Sequence, residues 1–227
     1  MRNIIIIMIF IALAFTSCKA KQQQPEEATA DAVAEKLVLV IGFNGEDHDI
    51  TINHEYDEDD YRFTLKGFEF DYQGRSQKIQ LPTEFTYYGF GDESYILSYV
   101  WSSDMNFDGF MDITVEQPQE GDNIRLIFFL YNPNTQKYEY NETLSELTGL
   151  QSDPETKTLT EWINFSAEGD YWRMSEYRWE GTNLVMFRST LQERDYDIDM
   201  YKHEINTLQP DGTWTKTIEY EPIDEER

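Results

Sequence analysis

The sequence predicts an all-β domain, on three observations. Apolar and polar residues alternate with period two along most of the chain, while helical periodicity is almost absent. The composition favours pleated structure, with 15 Tyr, 14 Phe and 5 Trp. Turn-forming clusters recur between the apolar runs.

Taken in order, Leu37-Val38-Leu39-Val40-Ile41 is a short buried-strand run, and His48–Asn53 alternates. Tyr61–Leu65 and Phe68–Tyr72 read as two further strands, and Tyr95–Trp101 as another. Ile124–Tyr131 is apolar nearly throughout, as a central strand buried on both faces would be. Lys137–Tyr140, Tyr171–Trp179, Asn183–Ser189 and Thr213–Tyr220 complete the clearest set. Asn132-Pro133-Asn134-Thr135, Asp153-Pro154-Glu155-Thr156, Glu180-Gly181-Thr182-Asn183 and Pro210-Asp211-Gly212-Thr213 are the turns between them. Only Glu142–Leu150 has room for a helical turn. About fifteen short strands at this spacing suit a sandwich, a barrel or a propeller. At four strands per blade they predict a small β-propeller of about four or five blades, with an antiparallel β-sandwich as the alternative.

The ends of the chain differ from its middle. Residues 1–17 have one early positive charge, Arg2, then an uncharged run from Ile4 to Phe15. That run is too short for a comfortable membrane span and has the layout of a secretory signal. It ends at Thr16-Ser17-Cys18, and Cys18 is the chain's one cysteine. An unpaired cysteine in an exported protein needs an explanation other than an internal disulfide. Leu13–Cys18 resembles a lipoprotein signal box, which makes Cys18 the expected lipid attachment; an ordinary secreted protein cleaved nearby, or an uncleaved anchor, is the alternative. Several acyl chains, at about 0.8 kcal/mol per buried CH₂, anchor firmly. Lys19 after the cysteine resembles sorting to the outer membrane. Residues 18–35, rich in Gln, Glu and Ala, read as a flexible tether. Residues 36–227 are then long enough for one domain with its own core.

Net charge is -26, from 44 acidic and 18 basic residues. Phosphate contacts depend on Lys and Arg, so nucleic acid is not an expected partner. The membrane is expected to be met through the lipid anchor only. A basic protein or a cation suits this charge.

One motif is sharp. Asp104-Met105-Asn106-Phe107-Asp108-Gly109-Phe110-Met111-Asp112 has the form D-x-N-x-D-G-x-x-D. Calcium takes 6–8 oxygen ligands, and a loop curled round one ion turns alternate side chains inward. Asp104, Asn106 and Asp108 have that spacing, Gly109 permits the sharp turn, the Phe110 carbonyl can face the ion, and Asp112 closes the shell. An EF-hand needs Glu at the twelfth position, which here is Val115. Strand-like flanks predict instead a structural Ca²⁺ loop inside a β-hairpin.

The loop, followed by Leu130–Thr135, Tyr138, Asn141, Leu144–Leu147, Asp153–Lys157 and Tyr177–Gly181, resembles a known family over Tyr95 to Arg188. These are bacterial periplasmic lipoproteins with a small β-propeller and one integrin-like calcium loop. A characterised member is an immunity protein that protects against a lysozyme-like effector delivered between competing bacteria by a secretion system. The resemblance implies a non-enzymatic inhibitor of a cell-wall hydrolase, and the acidic surface suits a basic hydrolase or toxin as partner. An envelope or surface binding module for glycan or protein is the alternative.

No enzyme motif competes. His48, His54 and His203 are scattered without zinc-protease spacing, and there is no nucleophile elbow or phosphate-cradling loop. Two aromatic groups, Phe85-Thr86-Tyr87-Tyr88 and Trp162 with Tyr171-Trp172, suit core packing first and a binding surface second.

Overall fold

In the computed structural model, residues 37–43, 46–72, 75–88, 93–118, 121 and 123–223 are described. Residues 1–36, where the signal, the lipid attachment at Cys18 and the tether are expected, lie outside them, as do Gly89–Asp92. The described residues form fourteen strands, one short 3-10 helix and one turn of α-helix, so the all-β class expected from the sequence is what the structure has.

The strands make three antiparallel sheets in which each strand pairs with its neighbour in sequence. The first sheet holds β1 (Val38–Phe43), β2 (Glu46–Asp57), β3 (Arg62–Tyr72) and β4 (Arg75–Tyr88). The second holds β5 (Val100–Ser103), β6 (Asp112–Glu116), β7 (Leu126–Asn132) and β8 (Lys137–Tyr140). A single turn of helix, α1 (Glu142–Ser145), follows, capped by Asn141, whose side chain accepts the Leu144 N–H at 2.9 Å. The third sheet has six strands: β9 (Gln151–Asp153), β10 (Thr158–Asn164), β11 (Trp172–Glu180), β12 (Asn183–Asp195), β13 (Met200–Leu208) and β14 (Trp214–Pro222).

The number of sheets differs from the four or five expected from strand count, because the third sheet takes six strands. Its β12 continues past Ser189 to Asp195 and pairs with β13, a strand with little apolar alternation to mark it.

Two cores flank the second sheet. Ile113, Val115, Ile127, Phe129 and Tyr131 on one side meet Phe63, Phe68 and Phe70 of the first sheet. Leu126 and Phe128 on the other side meet Leu144, Leu150, Leu159, Tyr177 and Trp179. The second sheet is therefore buried on both faces, as its continuous apolar β7 requires. Face-to-face packing of successive sheets is common to the propeller and sandwich alternatives.

Two local departures have clear causes. Tyr61–Leu65 and Phe68–Tyr72 are halves of one strand, β3. The register slips at Gly67, so the buried set changes phase from Phe63 and Leu65 to Phe68 and Phe70. A β-bulge absorbs the extra residue that the alternation had marked as a break. Gly67 is required there, since a Cβ would stand 2.0 Å from the Ile79 carbonyl oxygen. The second departure is Tyr95–Trp101, which is mostly a 3-10 helix over Glu93–Tyr99, with β5 beginning at Val100. Ile96 and Val100 are buried four positions apart, while Tyr95 and Tyr99 pack against Phe63. A dense apolar run satisfies either period, and the packing of its tyrosines onto β3 selects the helical one.

Candidate functional site

β5 and β6 form a hairpin whose last pair is Ser103 with Asp112, so residues 104–111 are its loop. The loop is wound by its own side chains. The Asp104 carboxylate accepts the N–H of Asp108 at 3.2 Å and of Gly109 at 2.9 Å. Asn106 Oδ1 accepts the Asp108 N–H at 3.1 Å, and Asp108 Oδ1 accepts that of Phe110 at 2.9 Å. Asn106 Nδ2 donates to Asp108 Oδ2 at 2.9 Å. These bonds bring the oxygens of Asp104, Asn106 and Asp108 onto one curl of backbone. Gly109 makes the turn at φ 90°, and Phe107 also takes the left-handed region, at φ 58°.

Four tertiary contacts hold the curl in place. Phe107 packs toward the core shared with the third sheet, and Phe110 toward the core shared with the first. Trp179 Nε1 on β11 donates to the Met105 carbonyl at 3.0 Å. The Tyr138 hydroxyl donates to the Met111 carbonyl at 3.2 Å.

Asp112 lies beneath the loop with no exposed surface. Its Oδ2 accepts the Met105 N–H at 2.8 Å, and its Oδ1 accepts the Tyr131 N–H at 2.9 Å. Burial pushes its pKa up to about 7; the two N–H groups oppose that shift, and the negative charges of Asp108 and Asp104 add to it. Sequence spacing makes Asp112 a closing ligand, whereas in the structure it is first a latch between the hairpin loop and β7. A carboxylate has about four lone-pair positions, so two N–H donors leave capacity for a cation.

Among the described residues no three His, Cys, Asp or Glu side chains stand close enough together to form a metal group. The donor set here is of mixed chemistry: two loop carboxylates, one amide, a backbone carbonyl and the buried carboxylate below. That oxygen-only set fits the chemistry of a hard cation. Beside it opens a cleft of about 390 Å³ whose lining includes Asn106, Asp108, Asn132, Asn134, Glu139 and Asn141.

The other residues marked in the sequence have separate fates. Phe85 and Tyr87 are core, while Tyr88 is 73% exposed. Trp162 and Tyr171 are exposed rather than core, and Trp172 is half-buried. His48 and His54 lie six positions apart on β2, and His203 lies on β13 of another sheet. Unmarked in the sequence was Glu161, 4% exposed, which accepts the Thr148 N–H at 3.2 Å and the Tyr177 hydroxyl at 3.0 Å. Its burial comes from sheet pairing, for which an acidic sequence has no local signal. Among the described residues no helix is long and apolar enough to cross a membrane.

No family model and no curated protein sequence matches the chain. Among solved structures it is similar to a protein described as "Structure of a Xanthomonas Type IV Secretion System related protein". The match has a TM-score of 0.58 at 15% identity and covers 81% of this chain and 94% of that one. At that identity the likeness is one of fold, and it extends over nearly the whole of the solved protein.

Proposed function

We propose that this chain is a non-enzymatic envelope lipoprotein, anchored through Cys18, whose β domain carries a structural calcium ion and blocks a cell-wall-degrading enzyme. The observation that carries the reading is the fold shared with a protein described as related to a type IV secretion system. The family resemblance of the loop and the segments after it supports the same reading. Asp104, Asn106 and Asp108 would hold the ion with the Phe110 carbonyl, and Asp112 would close the shell from below. A bound cation offsets the repulsion among Asp104, Asp108 and Asp112 and locks the hairpin. Its role is to fix the loop, with no part in bond making. A net charge of -26 favours rapid encounter with a basic hydrolase.

The test is inhibition. Purified protein is added to a muramidase degrading cell walls, with calcium and again with a chelator. Stoichiometric inhibition that weakens on chelation supports the reading. Undiminished hydrolysis by every muramidase tried, at saturating protein, would rule out the inhibitor role. The exposed aromatics of the third sheet favour a second reading, an envelope binding module without inhibitory action.

A further inference from the structure

The third sheet carries a cleft that the proposed inhibitor role does not use. Register places Trp162 of β10 opposite Met174, and Trp172 of β11 opposite both Asn164 and Gln192. Gln192 in turn faces His203 of β13, and Tyr201 faces Glu221 of β14. Directly paired residues share a sheet face, so Trp162, Trp172, Gln192, Tyr201, His203 and Glu221 all stand on one side of the sheet. The two indoles are stacked, with ring centroids 4.4 Å apart and planes at 25°. Trp172 meets the His203 ring edge-on at 6.2 Å. Trp162 is the outer member of the stack and is 43% exposed.

Beside the stack is a cavity of about 500 Å³, lined by Trp162, Trp172, Gln192 and Tyr201 and bounded by Glu168 and Glu221. That volume lies within the usual range of small-ligand sites. Gln192, on the same face, is 8% exposed and lines the cavity with its amide. Two of its neighbours on that face are short of partners. Thr190 Oγ1 and His203 Nε2 are buried without a hydrogen bond. His203 Nε2 lies 3.2 Å from Glu221 Oε2, close enough for an ion pair but out of line for a hydrogen bond. Buried polar groups are nearly always satisfied, so unpaired ones flanking a cavity point to a ligand that completes the site.

We propose that this cleft binds an uncharged saccharide, one ring lying on the outer face of Trp162 and its hydroxyls reaching Gln192, Tyr201 and Glu221. A sugar ring offers an apolar C–H face edged with hydroxyl donors and acceptors, which matches an indole face beside an amide, a phenol and a carboxylate. The carboxylates of Glu168 and Glu221 reject phosphates and acidic sugars. The two indoles are nearly parallel and do not form the box of crossed ring faces that encloses a quaternary ammonium ion. The inference goes beyond the proposed inhibitor role and does not rest on the calcium loop, which lies on the second sheet.

The full chain is titrated with the β-linked trimers of N-acetylglucosamine and of glucose, with trigalacturonate and with choline, by tryptophan fluorescence and calorimetry. At least one uncharged trimer is expected to saturate. Trp162→Ala is expected to weaken it roughly tenfold, and Gln192→Ala several-fold. Trp162→Phe, which keeps an aromatic face, retains part of the affinity; a matching melting temperature for each variant shows that the fold is intact. Absence of saturation by both uncharged trimers overturns the proposal. So does equal binding by Trp162→Ala, equal binding of trigalacturonate, or Trp162-dependent binding of choline alone.

Discussion

The indole N–H of Trp179 on β11 donates to the Met105 carbonyl at 3.0 Å, tying the hairpin loop to a strand 74 positions later in the chain. Trp179→Phe keeps the ring in its core but leaves that carbonyl unpaired. A loss of about 1–2 kcal/mol in urea unfolding is expected. No change would mean that the packing of Phe107 and Phe110 alone holds the loop.

Calcium binding predicts a melting temperature that depends on the ion. At a hundredfold excess over Kd the ion adds about 2.7 kcal/mol, a shift of several degrees for a domain of this size. Asp108→Ala removes one proposed ligand along with the bonds to Phe110 and Asn106. The variant is expected to melt alike in calcium and in chelator. A calcium-dependent shift that survives this substitution would remove Asp108 from the ligand set.

Asp112→Asn tests the latch apart from the ion. The carboxylate accepts two backbone N–H groups, and an amide places an NH₂ against one of them. The expected cost is about 1–3 kcal/mol even in chelator, where Asp104→Asn on the half-buried loop costs less. Equal losses for the two variants, read from denaturant midpoints, would contradict the latch.

Gly67→Ala is expected to cost on the order of 3 kcal/mol, since the new Cβ meets the Ile79 carbonyl oxygen across β3 and β4. Gly212→Ala, at φ 83° but with open space around it, is expected to cost less, through backbone strain alone. Thermal melts of the two proteins compare the clash with the strain.

Alkaline pH is expected to weaken the fold through its buried tyrosines. Burial and the Glu161 charge push the Tyr177 hydroxyl up to about 12, and burial also raises Tyr87 and Tyr138. Between the unfolded value near 10 and the folded value, the native state holds protons that the unfolded state has lost. The stabilisation is therefore complete below about pH 10 and is lost as pH rises toward 12. Tyr177→Phe is expected to flatten this decline in melts taken from pH 9 to 12; an unchanged slope would assign the loss to other groups.

Local chemistry made much of this protein legible. Alternation marked most strands, and the Asn-Pro, Asp-Pro and Gly-containing turns separated them where β7 meets β8, β9 meets β10, β11 meets β12 and β13 meets β14. The D-x-N-x-D-G-x-x-D spacing by itself locates the hairpin loop, because Asx turns and a left-handed glycine are short-range effects.

What alternation does not encode is partnership between distant segments. It read the Gly67 bulge as a gap between two strands, and it read the tyrosine-rich Glu93–Tyr99 turn of helix as a strand. It placed Trp162 and Trp172 in the core, although pairing of β10 with β11 stacks them at the surface. Asp112 looked like a ligand and nothing more until β7 brought the Tyr131 N–H to it. Residue types and spacing by themselves determined the all-β class, the turns and the candidate loop. Tertiary structure alone decided the three sheets, the latch at Asp112 and the tryptophan cleft, because each depends on strand register and cross-strand contacts, which the pattern within one segment does not specify.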